Sequence, residues 1–326
     1  MKQRGFTIIE LMISLFVGAF ILAGVMFTYL AMKTSNRDTL EIGDLQESGR
    51  IAMDVLRRDI ELAGFWGNFS GMPNEVNFAK ANPSNDCFEG ANNRSFPIAD
   101  GSQFKFIYGV QTNSAVVLNC IKDSISNSDV IQLKGVSGND ISGNSSQVNQ
   151  YYLETNYDFA KILDGTGGVL PVDPANSLWA YNHHVYYIGQ DTYTVNNKSL
   201  SVPTLKRKRL TKTGIITETI MEGVENMRFI YGMDFDGDSR VDTYKTAGQM
   251  MQTDWEQQTG QILTVQMFIL VRSMDTDFDL SATARTYTLG GSGESAKELT
   301  FTDKYRRMLF VSTVRLENGG EDSWKW

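Results

Sequence analysis

A chain of 326 residues with a formal net charge of -8 has room for a sizeable core and lacks the accumulated Lys and Arg that phosphate binding requires. Nucleic acid is therefore not an expected partner. The two cysteines, Cys87 and Cys120, lie beyond the apolar N-terminal segment. They predict a single disulfide worth about 3 to 4 kcal/mol in the chain-entropy account, with two buried free thiols as the alternative.

Met1-Lys-Gln-Arg-Gly5 precedes an apolar run from Phe6 to Met32, broken only by Glu10 and a few small or hydroxyl residues. About 27 helical residues at 1.5 Å each reach roughly 40 Å, more than the hydrocarbon thickness of a bilayer, so residues 6–32 are expected to span a membrane. Lys2 and Arg4 orient that span with the short N-terminus in the cytoplasm and everything after Lys33 on the far side. In a secretory signal peptide the small-residue cleavage site follows a shorter apolar core, whereas here Gly5 comes first. Glu10 is the anomaly. A carboxylate four residues into a spanning helix costs several kcal/mol unless it is paired. A cut between Gly5 and Phe6 would create an α-amino cation that the Glu10 of a neighbouring subunit could neutralise. The alternative is a plain single-pass anchor whose glutamate snorkels.

From Lys33 the sequence turns polar but stays free of proline, and Leu45, Ala52, Val55, Leu56, Leu62 and Ala63 keep helical spacing. The helix is expected to continue through residues 33–64 and to end at Gly64, with Phe65 and Trp66 anchoring a head over 65–326. Residues 68–149 are rich in Asn, Ser and Gly. Strands are expected at Phe104–Tyr108, Ala115–Leu118, Asp129–Leu133, His184–Ile188, Leu205–Leu210, Val224–Tyr231, Ile262–Arg272 and Met308–Leu316. The fold class is α+β: one long N-terminal helix packed on a mainly antiparallel β head.

Asp234-Phe-Asp236-Gly-Asp238-Ser-Arg-Val-Asp242 resembles the start of a calcium-binding loop, in which oxygen ligands wrap a hard cation around a glycine turn. The twelfth position holds Lys245 instead of glutamate, so Asp242 would have to close the shell; an acidic turn without metal is the competing reading. Asp275-Thr-Asp277-Phe-Asp279 reads as a solvated acidic loop. Lys206-Arg-Lys-Arg209 reads as alternation on an exposed strand. His183 and His184 should point to opposite faces of a strand, as core or edge histidines. No motif for nucleotide binding, zinc-dependent proteolysis or a serine nucleophile occurs, and an enzymatic role has no positive support.

Residues 2 to 11, Lys-Gln-Arg-Gly-Phe-Thr-Ile-Ile-Glu-Leu, resemble the signal of type IV prepilins and type II secretion pseudopilins. That resemblance implies a leader, residues 1–5, removed after Gly5 by prepilin peptidase, N-methylation of Phe6, and a role for Glu10 in docking each subunit on its neighbour. It also implies the type IV pilin fold. The segments Arg57 to Gly67, Gly223 to Gly232, Val265 to Ser273 and Tyr305 to Leu316 are similar to the PilW family of minor pilins, although Glu317-Asn318 stands where relatives end in Arg-Asn and a tail to Trp326 follows. The family implies a non-catalytic subunit that primes pilus assembly near the tip and supports twitching motility and adhesion. Its expected partners are other minor pilins, the major pilin, the assembly platform and a tip adhesin. Its expected location is the inner membrane, with the head in the periplasm, and then the pilus. A J-like minor pseudopilin of type II secretion would share these features; a membrane-tethered periplasmic binding protein or enzyme is the reading from a different class.

Overall fold

A computed structural model of the chain describes residues 5, 7–113, 116–195, 198–277, 280–291, 293–316 and 318. The chain separates into two compact units, Met1–Glu47 and Ser48–Trp326. Helix α1, Ile8–Glu61, begins in the first and ends in the second.

In the first unit the helix presents its apolar side chains outward, with Phe16 73%, Phe20 77% and Phe27 78% exposed. An 18-residue window of mean hydropathy 2.4 makes it long and apolar enough to cross a membrane. Two hydroxyls in its apolar stretch are satisfied within the helix. Ser14 donates to the Glu10 carbonyl at 2.7 Å and Thr28 to the Gly24 carbonyl at 2.6 Å, so neither brings an unpaired donor into hydrocarbon.

In the second unit the last turns of α1 bury one face: Ala52, Leu56, Ile60 and Ala63 are all at most 1% exposed. Spacings of four, four and three residues are those of a single helix stripe. The helix ends because Gly64 takes φ +75°, a left-handed conformation suited to glycine, and its N–H donates to the Lys134 carbonyl at 2.9 Å.

Strands β1 (Ile107–Gln111), β2 (Asp129–Asp140), β3 (Tyr151–Thr155), β4 (Ala160–Asp164), β5 (Ser177–Val195), β6 (Lys198–Thr211) and β7 (Gly214–Glu222) form an antiparallel seven-stranded sheet. Its frame is β5. One side of β5 pairs with β2, and the other is shared by β3 beside Ser177–Ala180 and by β6 from His184 onward. Next come β8 (Val224–Asp234), β9 (Thr243–Thr246), helix α2 (Gln252–Trp255), β10 (Gln261–Arg272), β11 (Arg285–Leu289), β12 (Lys297–Phe301) and β13 (Arg307–Arg315). Four of these make a second sheet in the order β13-β10-β8-β9, while β11 and β12 form a hairpin. Opposite parities of β8 and β10 do different work. Ile230, Phe268 and Leu270 on one face pack with Leu289, Tyr287, Leu299 and Phe301 of the hairpin. On the other face the ring of Phe310 comes so near Gly49 that a Cβ there would lie 2.0 Å from it, which is why a glycine sits where α1 meets β13.

The expected α+β class, with a long N-terminal helix and antiparallel sheets, is what the structure has. Two expectations need correction. Residues 116–118 make no strand, only an isolated bridge from Val117 to Ile121, because Leu118 and Asn119 adopt φ of 51° and 58° in a turn before Cys120; Ala115 lies outside the described residues. The segment Phe104–Tyr108 enters the sheet only at Ile107.

Candidate functional site

At the start of α1, Gly5 is exposed, with nothing within 4 Å of where a Cβ would stand. Residues 1–4 and Phe6, which carry the expected leader and the methylation position, lie outside the described residues. Thr7 precedes the first helical residue and Glu10 follows three positions later, and the pair forms a reciprocal cap. The Thr7 N–H and hydroxyl each donate to Glu10 Oε2 at 2.9 Å, and the Glu10 N–H donates to Thr7 Oγ1 at 3.3 Å. This is the Thr-x-x-Glu capping box, which Thr7-Ile-Ile-Glu10 spells out in the sequence. It revises the idea that a lone chain leaves Glu10 without partners. Its donors are neutral, however, so the carboxylate is hydrogen-bonded without being neutralised, and in hydrocarbon a nearby cation still lowers its energy.

The acidic loop follows β8. One carboxylate oxygen from each of Asp234, Asp236 and Asp242 lies within 4.8 Å of the others, whereas Asp238 turns toward Arg240. The loop also holds itself together. Asp234 accepts from the Gly237 and Ser239 amides at 2.7 and 2.9 Å, Asp236 from the Asp238 amide at 3.1 Å, and Asp242 from the Phe235 amide at 2.7 Å. The Asp238 amide pulls the Asp236 carboxyl down, but slight desolvation and repulsion from Asp238, Asp242 and Asp234 outweigh it and leave that carboxyl above its ordinary range. Lys245 donates to Asp254 at 2.8 Å and stands over the Phe235 ring at 5.0 Å, away from any closing role. An all-carboxylate donor set suits a hard cation such as calcium and not zinc.

Cys87 and Cys120 are joined by a disulfide across 33 residues. Beneath it lies a network that no spacing in the sequence announces. Buried Gln132 donates to His183 Nε2 at 2.7 Å, so that nitrogen is the acceptor and the proton sits on His183 Nδ1, which donates to Ser95 Oγ at 2.8 Å. Ser95 in turn donates to Asp86 at 2.6 Å. The order Asp, Ser, His is reminiscent of a hydrolase, but all three are at most 2% exposed, and the chain ties the segment before β1 to β2 and β5.

His183 and His184 do face opposite ways, for His184 Nδ1 meets Asp59 Oδ2 of α1 at 2.5 Å. The basic run is less open than expected. Lys206 is 7% exposed and pairs with Asp123 and Asp191, while Arg207 and Arg209 both pair with Glu218, so these charges are matched by neighbouring carboxylates. Asp277 is not solvated either: it is 2% exposed and bound by Arg306 at 2.8 Å; Asp279 lies outside the described residues.

Residues 1–26 match the family described as the prokaryotic N-terminal methylation motif, and residues 185–318 match the family described as type IV pilus-assembly protein W. No curated protein and no solved structure matches the chain. An apolar N-terminal helix opened by a prepilin-type motif and followed by antiparallel sheets defines a type IV pilin-like protein. Within that class the chain is PilW-like, the match running from the middle of β5 through β13. The Glu317 and tail departures noted above lie outside the described residues.

Proposed function

We propose that the chain is a minor type IV pilin that primes pilus assembly near the tip, with its head exported to the periplasm and then carried on the filament at the cell surface. The supporting observation is the joint occurrence of a methylation-type N-terminus over residues 1–26 and a pilus-assembly match over residues 185–318 in one chain. Prepilin peptidase cuts after Gly5, Phe6 is methylated, and Glu10 docks the subunit against a neighbour's new amino group. The subunit catalyses no reaction. Its partners are the other minor pilins, the major pilin, the assembly platform and a tip adhesin, and the filament it starts serves twitching motility and adhesion.

The test joins two measurements. Mass spectrometry of the membrane-purified chain should find a methylated Phe6 terminus, and an intact Met1 end would refute the reading. Deletion of the gene should abolish surface pili and twitching while leaving secreted proteins at their normal level; lost secretion with normal twitching would assign the chain to a type II secretion pseudopilus instead.

A further inference from the structure

The head contains a buried amine that neither the pilus reading nor the acidic loop uses. Lys134 on β2 is 1% exposed, and Asn93, in the irregular segment before β1, is 0% exposed. Lys134 Nζ donates to Asn93 Oδ1 at 2.9 Å and to the Lys105 carbonyl at 2.6 Å, and it lies 4.6 Å from the centre of the Phe104 ring. Both acceptors are neutral. Two donations use the two N–H bonds of an uncharged amine and leave its lone pair over. Burial drives this amine well below the ordinary lysine range, which favours the nucleophilic form. The Asn93 carboxamide is held in place, since its Nδ2 donates to the Glu89 carbonyl at 3.2 Å.

We propose that Lys134 and Asn93 condense into an intramolecular isopeptide bond. Nζ of Lys134 attacks Cγ of Asn93; the Nζ–Cγ bond forms, the Cγ–Nδ2 bond breaks, a proton passes from Nζ to Nδ2, and one ammonia leaves. No oxidant or cofactor takes part. The amine already contacts Oδ1, one bond from Cγ, and a swing of the flexible end of Lys134 out of the carboxamide plane brings Nζ over the face of Cγ while the carboxamide stays where Glu89 holds it. The Lys105 carbonyl and the face of Phe104 stabilise the positive charge that grows on Nζ during attack. Asp86, 2% exposed, is the carboxyl whose field acts on this amine, and its own oxygens are held by the Cys87 and Ser95 amides and the Ser95 hydroxyl. Enclosure keeps out the water that would otherwise hydrolyse the carboxamide. The crosslink would overlap the Cys87–Cys120 loop and fasten the segment before β1 to the middle of the sheet.

Peptide mapping of the full chain, denatured and reduced after incubation of the folded protein at mildly alkaline pH, tests this directly. The expected product is one branched peptide joining the Asn93 and Lys134 segments, lighter than their sum by one ammonia, and lost in Lys134→Met. Should linear peptides carrying intact Asn93 and Lys134 account for all the material, or should Asn93 be found converted to aspartate without a branch, the proposal is overturned. The wild-type map decides the matter even if Lys134→Met fails to fold.

Discussion

Asp59, on the last full turn of α1, receives His184 Nδ1 at 2.5 Å and the Tyr186 hydroxyl at the same distance, so one carboxylate locks the end of the helix to two residues of β5. Burial alone would raise this carboxyl, but the field and hydrogen bond of His184, the hydroxyl of Tyr186 and the charge of Arg207 outweigh burial and hold it below its ordinary range. A carboxylate depressed in the folded state stabilises that state above the unfolded pKa of about 4 and ceases to do so as pH falls through the folded value.

Asp59→Asn should therefore destabilise the head by about 2 kcal/mol at neutral pH, the range for charge-assisted hydrogen bonds. The gap between wild type and variant should be full above about pH 5 and close as the solution is acidified below about pH 4. Urea unfolding of the two proteins at both ends of that range is the measurement. A gap that stays constant with pH would show that the carboxylate's charge contributes nothing.

Removing the disulfide with Cys87→Ala and Cys120→Ala should cost about 3 to 4 kcal/mol, the chain-entropy value for a loop of this size. The loss should concentrate locally. Cys87 is 0% exposed and its carbonyl accepts from Gln132 at 2.9 Å, so hydrogen exchange should rise in residues 86–121 before it rises in β10 or β13. Uniform loosening of the whole head would contradict the view that this crosslink secures the irregular segment.

Calcium should raise the melting temperature of the head through the loop after β8. Because Asp242 joins Asp234 and Asp236 in the cluster while Asp238 faces Arg240, Asp242→Ala should reduce the calcium response more than Asp238→Ala. The response should also fade on acidification, since protonation of Asp236 begins above its ordinary range. Melting curves with calcium and with chelator settle the point. Identical curves would leave the loop as an acidic turn closed by its own amides.

Legibility followed the size of the apolar signal. The runs that become β8 and β10 bury most of their residues, and the stripe Ala52, Leu56, Ala63 repeats at helical intervals, so pattern alone located them. Strands such as Lys297-Glu-Leu-Thr-Phe301 and Thr243-Tyr-Lys-Thr246 escaped because they are short, carry Thr, Lys and Glu, and lie only half under neighbours. The Asp86, Ser95, Gln132 and His183 network was invisible for another reason: its members come from distant parts of the chain and meet only when β2 and β5 pair. Glu10 stands out as an acid in an apolar run, whereas its capping role depends on Thr7, whose small hydroxyl breaks no apolar pattern.

That capping role makes the assembly mechanism separable from helix chemistry. Glu10→Val removes both the charge and the acceptor for the Thr7 donors, so its failure to enter pili would not say which mattered. Glu10→Gln keeps a carbonyl oxygen for the same N–H and hydroxyl but carries no charge, and Thr7→Val keeps the charge while losing the hydroxyl, at a cost of about 1 kcal/mol to the helix start. If neutralising a neighbour's amino terminus is what drives docking, Glu10→Gln should insert in the membrane at the normal level yet be nearly absent from sheared pili, like Glu10→Val. Thr7→Val should enter pili at close to the wild-type level. The reverse ranking, with Gln tolerated and Thr7→Val excluded, would mean that Glu10 serves the fold of its own helix and that subunits recognise each other by other contacts.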